Sequence, residues 1–404
     1  MTLSSFKREP REKHSTASAL VLTIGFSLTG AGTLTLGVLL PVLSRKWGLA
    51  DNNAGLLLFL QFLGSTLGAV LTGRDRARSM AIGYALLVAS ACALAFAGPR
   101  TLFPSYFSFG LGLGMAMTAT NLLFSDCYAN DRAAKLERLN FAWSTGAMAA
   151  PALLLPFLHG ASLVLLYMGY VALFLLLFLW VMTRERGTST QTAVDDGLQD
   201  GGASAGPGAG VQERAPLSFL LPLVLMATCS VGIEAALGGW LTTYSRRSHP
   251  GGVGEGAFAT LLFMLGIVLS RLLFSTSLLE KIGRERVLRW VFWSTAVWVA
   301  VLIASQDRLL IDAASLLCGL SIGPLYPLLL AFLLARCPSG WILAAAGAGS
   351  AVFPWITGVI STQAGSLRYG LLAPWGAALL MIALTPMGLR GARSGAIAAE
   401  LPTS

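Results

Sequence analysis

Apolar segments of about twenty residues follow one another along almost the whole chain, and that pattern leaves few folds open. A helix rising about 1.5 Å per residue needs about 20 residues to cross roughly 30 Å of hydrocarbon. No water inside that layer can satisfy backbone N–H and C=O groups, so a spanning segment is a helix or part of a closed barrel. Segments this long predict helices. Twelve are expected, over 17–44, 52–72, 79–98, 101–126, 139–159, 161–183, 217–244, 255–279, 286–305, 309–335, 341–363 and 370–389. The composition agrees: 12% of the 404 residues are charged, where a soluble domain carries about 25%. The first span exceeds the roughly 7–15 apolar residues of a signal peptide, so it is expected to stay in the chain.

Basic residues set the orientation. Of the 28 Lys and Arg residues, 21 fall in connections and helix ends on the side that holds both termini, and 7 on the other. Arg271 is counted among the 21 as a helix-end residue. Basic loops stay in the cytosol. The expectation is a multi-pass protein of the plasma (inner) membrane, in contact with the lipid bilayer, with both termini cytosolic. The net charge of +9 is spread over many loops instead of one face, which argues against nucleic acid as a partner.

Residues 187–215, rich in Gly, Ala, Ser and Thr, read as a flexible linker. The expected organisation is a cytosolic tail 1–16, an N-terminal six-helix bundle 17–183, a linker 184–216, a C-terminal six-helix bundle 217–390 and a tail 391–404. Cys92, Cys127, Cys229, Cys318 and Cys337 are scattered and fit neither a disulfide framework nor a metal spacing. No nucleotide-binding Gly-rich loop ending in Gly-Lys-Ser/Thr occurs. No enzyme activity, catalytic residue, cofactor or metal is therefore expected.

The two halves repeat. Leu63-Gly64-x-x-Leu67-Gly68 returns as Leu265-Gly266-x-x-Leu269-Ser270, and Gly110-Leu111-x-x-Gly114 as Gly319-Leu320-x-x-Gly323. Gly146, five residues before Pro151, returns as Gly349, five before Pro354. The offsets are 202, 209 and 203. Gly323-Pro324, Pro327 and Pro354 are expected to interrupt their helices, because Pro removes a backbone donor and kinks the chain. Close packing through small residues is the other reading.

Glu234 is the chemical outlier. It sits in the middle of the seventh span with no charged residue within ten positions on either side. An ionised carboxylate near the bilayer centre costs at least about 2–3 kcal/mol, so it must face protein or water, or carry a proton. Ala227, Ser230, Glu234 and Gly238 share one small, partly polar helix face. Trp240 and Tyr244 follow on the same helix. On an unbroken helix Trp240 points about 120° away from Glu234, and Gly238-Gly239 offers a break that would alter that angle.

Twelve spans split six and six, with repeated halves, resemble the major facilitator superfamily. Thr276-Ser-Leu-Leu-Glu280-Lys281-Ile-Gly283-Arg284-Glu285-Arg286 is similar to the loop signature of that superfamily. The first-half copy, Gly68-Ala-Val-Leu-Thr72-Gly73-Arg74-Asp75-Arg76-Ala-Arg78, has Thr72 where the acid is expected. The resemblance implies an all-α membrane fold of 12 transmembrane helices in two pseudo-symmetric six-helix bundles. It also implies gating roles for Glu280, Arg284, Asp75 and Arg76.

Within the superfamily the chain most resembles fucose permease-like sugar transporters. The residues concerned are Gly232-Ile-Glu234-x-x-x-Gly238-x-Trp240-Leu-x-x-Tyr244, Gly319-x-x-x-Gly323-Pro324-x-Tyr326-Pro327, Ala119-Thr-Asn121-Leu-Leu and Gly349-x-x-x-x-Pro354-Trp355. This resemblance implies a transporter of a small neutral solute, a sugar first of all, working by alternating access. Glu234 is then the candidate site for proton coupling. Proton symporters of that kind carry further intramembrane acids in the first half, and here the first five spans have none apart from Asp126 at a helix end. Neutral groups stand there instead: Gln61 and Asn121, with Asn140 and Ser144 opening the fifth helix. Amides donate and accept hydrogen bonds and suit hydroxyl-rich solutes. With Glu234, Trp240, Tyr244, Tyr326 and Trp355 they make up the expected substrate-binding set. Two other readings fit the same composition: an exporter of hydrophobic compounds, and a non-transporting membrane scaffold or sensor.

Overall fold

The computed structural model describes residues 16–127, 132–195, 217–248, 255–274, 284–334 and 340–399, and these are helices joined by short turns, with no strand among them. In the first half α1 is Thr16–Trp47, α2 Asp51–Leu71, α3 Arg76–Ala95, α4 Leu102–Cys127, α5 Arg132–Leu153, α6 Leu155–Leu158 and α7 Leu163–Asp195. In the second half α8 is Leu217–Ser248, α9 Glu255–Phe274, α10 Arg284–Ala304, α11 Arg308–Ile322, α12 Leu325–Leu334, α13 Gly340–Ala364, α14 Leu367–Gly370 and α15 Leu372–Ala399. Among the described residues eleven helices are long and apolar enough to cross a membrane. The eleventh expected span, 341–363, is α13.

The halves are built alike. In the first, α1 packs on α5, α2 on α4, and α3 on α4 and α7; in the second, α8 packs on α13, α9 on α11, and α10 on α11 and α15. The repeated glycines explain why. A Cβ on Gly146 of α5 would meet the carbonyl oxygen of Ser27 on α1, and one on Gly349 of α13 would meet that of Thr228 on α8. Gly110 abuts the Gln61 carbonyl as Gly319 abuts that of Phe263, and Gly64 abuts Phe107 as Gly266 abuts Leu316. Each pair lets two helix backbones touch, which maximises van der Waals contact where lipid offers no hydrophobic drive between helices. Gly160 (φ 108°) and Gly365 (φ 68°) end the fifth span of each half in the left-handed region that glycine adopts without strain.

Two expectations about breaks divide. The chain does break at Gly323-Pro324, between α11 and α12, whereas α13 runs through Pro354 and α8 runs unbroken through Gly238-Gly239. The glycine pair in α8 admits another helix: a Cβ on Gly37 of α1 would lie 2.5 Å from the Gly238 oxygen and 2.8 Å from the Gly239 Cα. The stretch read as linker from 184 is helical as far as Asp195, and α15 extends to Ala399, beyond the expected end at 389.

Three seams join the halves: α1 with α8, α2 with α13, and α5 with α9. The last two are counterparts under the repeat, since α2 matches α9 and α5 matches α13.

Candidate functional site

Glu234 faces the seam, not lipid. Its helix is unbroken, so the carboxylate lies about 25 Å along α8 from Leu217, close to the middle of the helix. One turn on, Gly238 looks onto Leu34 of α1 and Met264 of α9. Glu234 Oε1 stands 3.5 Å from Arg271 Nη2, with side-chain exposures of 18% and 22%. Both groups are thus mostly withdrawn yet still reachable. Arg271 Nη1 donates to Ser144 Oγ at 2.5 Å, and Ser144 Oγ in turn donates to the Asn140 carbonyl at 3.0 Å. The chain Glu234–Arg271–Ser144 therefore runs from α8 through α9 into α5 and crosses from one half to the other. Tyr326 of α12 is close enough to feel the Glu234 charge.

Two donors here are unspent. Ser230 Oγ, fully buried and one turn before Glu234, and Arg271 Nε have no hydrogen-bond partner among the described residues.

Arg271 is the site residue that the sequence reading left unpaired with Glu234. It does stand in the last turn of α9, and from there its guanidinium reaches the acid. The signal was available, because the expected span 255–279 encloses Arg271 and a lone intramembrane acid calls for a cation.

Of the residues expected to bind solute, the structure brings together Glu234, Ser144 and Tyr326, with Asn140 exposed one turn from Ser144. Asn121 is half-buried on α4. Trp240 lies elsewhere: the unbroken helix keeps it turned away from Glu234, fully buried, its Nε1 donating to the Pro354 carbonyl at 2.8 Å. Tyr244 is buried and donates to the Leu302 carbonyl at 2.7 Å. Gln61 is 1% exposed and donates to the Thr33 carbonyl at 2.8 Å, a bond between helices of one half. Trp355 stands in the α2–α13 seam against Phe59, ring centroids 5.7 Å apart. Gly319-Leu-Ser321-Ile-Gly323 has the spelling of a hydrolase nucleophile turn, but it is helical. Its Ser321 hydroxyl is shared with Ser294 at 2.7 Å.

Two of the expected gate residues make bonds close by in sequence. Asp75 caps α3 by accepting from the Arg78 amide at 3.0 Å, and Arg76 Nη1 donates to the Gly73 carbonyl at 2.5 Å. Glu280 and the side chain of Arg284 lie outside the described residues. A charged closure stands at the opposite end. Arg247, at the end of α8, holds both oxygens of Asp51, the first residue of α2, at 2.6 and 2.7 Å. Ser361 of α13 donates to the same carboxylate at 2.5 Å. The Asn52 amide donates to Thr362 Oγ1 at 2.8 Å. This latch ties α2 of one half to α8 and α13 of the other, where the Gly37–Gly238 contact also closes α1 on α8. Both partners flank turns, one on either side of the linker, so no local pattern pointed to them.

Two repeated bundles, a seam crossed by buried polar groups and a latched end define a membrane transport protein. Residues 22–341 match the model of the Major Facilitator Superfamily, and the chain belongs to that family. No curated protein matched the sequence. Solved structures similar in fold include a D-xylose-proton symporter (14% identity, TM-score 0.67, covering 92% of this chain and 96% of that one). A bacterial homolog of the human lysosomal transporter Spinster, inward-facing and unoccupied, is similar at 15% identity and TM-score 0.65 over 92% and 97% of the two chains. The transporter FucP in the outward conformation matches at 18% and 0.59 over 92% and 98%.

Proposed function

We propose that this chain moves a small hydroxylated solute, of the sugar class, across the plasma (inner) membrane by alternating access, with Glu234 as the proton site. One observation carries the reading: the polar chain Glu234–Arg271–Ser144 crosses the seam that must open and close. A group that titrates at one end of such a chain biases how the halves meet, which is what coupling requires. Hydroxyls of Ser230, Ser144 and Tyr326 around it suit a hydroxylated solute. The similarity in fold to a D-xylose-proton symporter supports the solute class and the coupling ion. With both termini in the cytosol, the Asp51–Arg247–Ser361 latch closes the outer end, and solute exchanges from the inner one.

The test is uptake of labelled hexoses, pentoses and their hydroxylated derivatives into proteoliposomes under an inside-alkaline pH gradient. Gradient-driven accumulation is expected, and Glu234→Gln is expected to abolish it while leaving solute counterflow. Unchanged accumulation in Glu234→Gln would remove Glu234 from the mechanism.

A further inference from the structure

The charges at the site restrict what the solute can be. Glu234 and Arg271 neutralise each other across 3.5 Å. Arg271 spends Nη1 on Ser144 and leaves buried Nε without a partner. Ser230 Oγ beside them is fully buried and also unpartnered. The guanidinium is therefore held loosely by its acid, with donors to spare.

Now let Glu234 accept a proton. Its charge disappears, and the Arg271 guanidinium is left as a withdrawn cation inside the membrane. A lone charge there is strongly disfavoured. A neutral hexose brings nothing to offset it, whereas a carboxylate matches the guanidinium fork with two oxygens and charge-assisted bonds. Other charged groups are poorly placed to substitute. Of the elements packed on α8, α12 carries Tyr326. Arg45 and Lys46 end α1 at the latch end, and Arg308 and Asp312 lie in the first two turns of α11. α13 carries no ionisable side chain, and Arg390 and Arg393 of α15 lie near its far end.

We infer that the solute is a hydroxylated monocarboxylate, a sugar acid, whose carboxylate replaces Glu234 on Arg271 while Glu234 takes up a proton, so that one anion and one proton cross together. The proton binds Glu234 Oε, the carboxylate binds the freed guanidinium, and the site's net charge is the same empty and loaded. This inference rests on the transporter reading above and sharpens its solute class from neutral to anionic.

The experiment uses the full chain in proteoliposomes with labelled glucuronate and labelled glucose. Glucuronate uptake is expected to follow the pH gradient, to ignore an imposed membrane potential and to resist a tenfold excess of glucose. Arg271→Lys should lower glucuronate kcat/KM by about tenfold or more, since Lys lacks the planar fork. Glu234→Gln should lose gradient-driven glucuronate accumulation. Potential-dependent glucuronate uptake by the unmodified protein overturns the electroneutral exchange even if neither variant folds. Proton-driven glucose uptake without glucuronate uptake overturns the anionic solute and leaves the transporter reading standing. Movement of neither solute overturns the anionic solute, and the transporter reading then rests on the wider solute panel.

Discussion

Asp51→Asn probes the latch directly. In the closed arrangement Asp51 accepts from Arg247 at 2.6 and 2.7 Å and from Ser361 at 2.5 Å. The Arg247 side chain is 46% exposed and that of Asp51 11%, so the pair merits a near-surface value of about 1 kcal/mol, not a buried one. The Ser361 bond adds about 1 kcal/mol. Asparagine keeps the shape but loses the charge and one acceptor oxygen. The closed state should therefore lose about 1–2 kcal/mol, a factor of roughly 5–30 in the closed-to-open ratio. Leu34 of α1 is a suitable reporter: it is 8% exposed and covered by α8 at Gly238. Leu34→Cys in a background without the five native cysteines would be labelled with a membrane-impermeant maleimide from the Asp51 side. Asp51→Asn should raise the labelling rate by roughly 5–30-fold. Arg247→Gln should do much the same, and the double variant should add little, because both remove one interaction. A rate within twofold of the parent, or fully additive effects, would show that the latch does not hold this end shut.

Two further outcomes follow from packing. Gly146→Val places a branched side chain against the Ser27 backbone of α1. Overpacking of about 1–3 kcal/mol or more is expected, visible as a lower melting temperature and a loss of monodisperse protein on size exclusion. Trp240→Phe removes the bond to the Pro354 carbonyl and some buried volume. Stability should fall by about 1–3 kcal/mol with the solute KM unchanged; a large KM shift at unchanged stability would return Trp240 to the solute site.

Much of the architecture was legible before any coordinates. Spanning helices follow from apolar run length because the backbone must satisfy itself within each segment, a requirement that involves only covalent neighbours. The duplication was legible for a similar reason: the glycines at matching offsets are where backbones touch, and a side chain at any of them would separate two helices. The isolation of Glu234 in an apolar run singled it out as a site candidate through its desolvation cost alone.

What no local pattern could supply was the partner of each polar group. Arg271 reads as a helix-end cation without a partner until α9 is laid beside α8, and Asp51 and Arg247 are 196 residues apart in sequence. Trp240 reads as a solute-stacking ring until α13 brings the Pro354 carbonyl to its indole. Run length and residue spacing act along the chain and survive in its sequence. Pairing of charges and donors acts through space, over separations fixed only when the two bundles pack, and so it was decided by the tertiary structure.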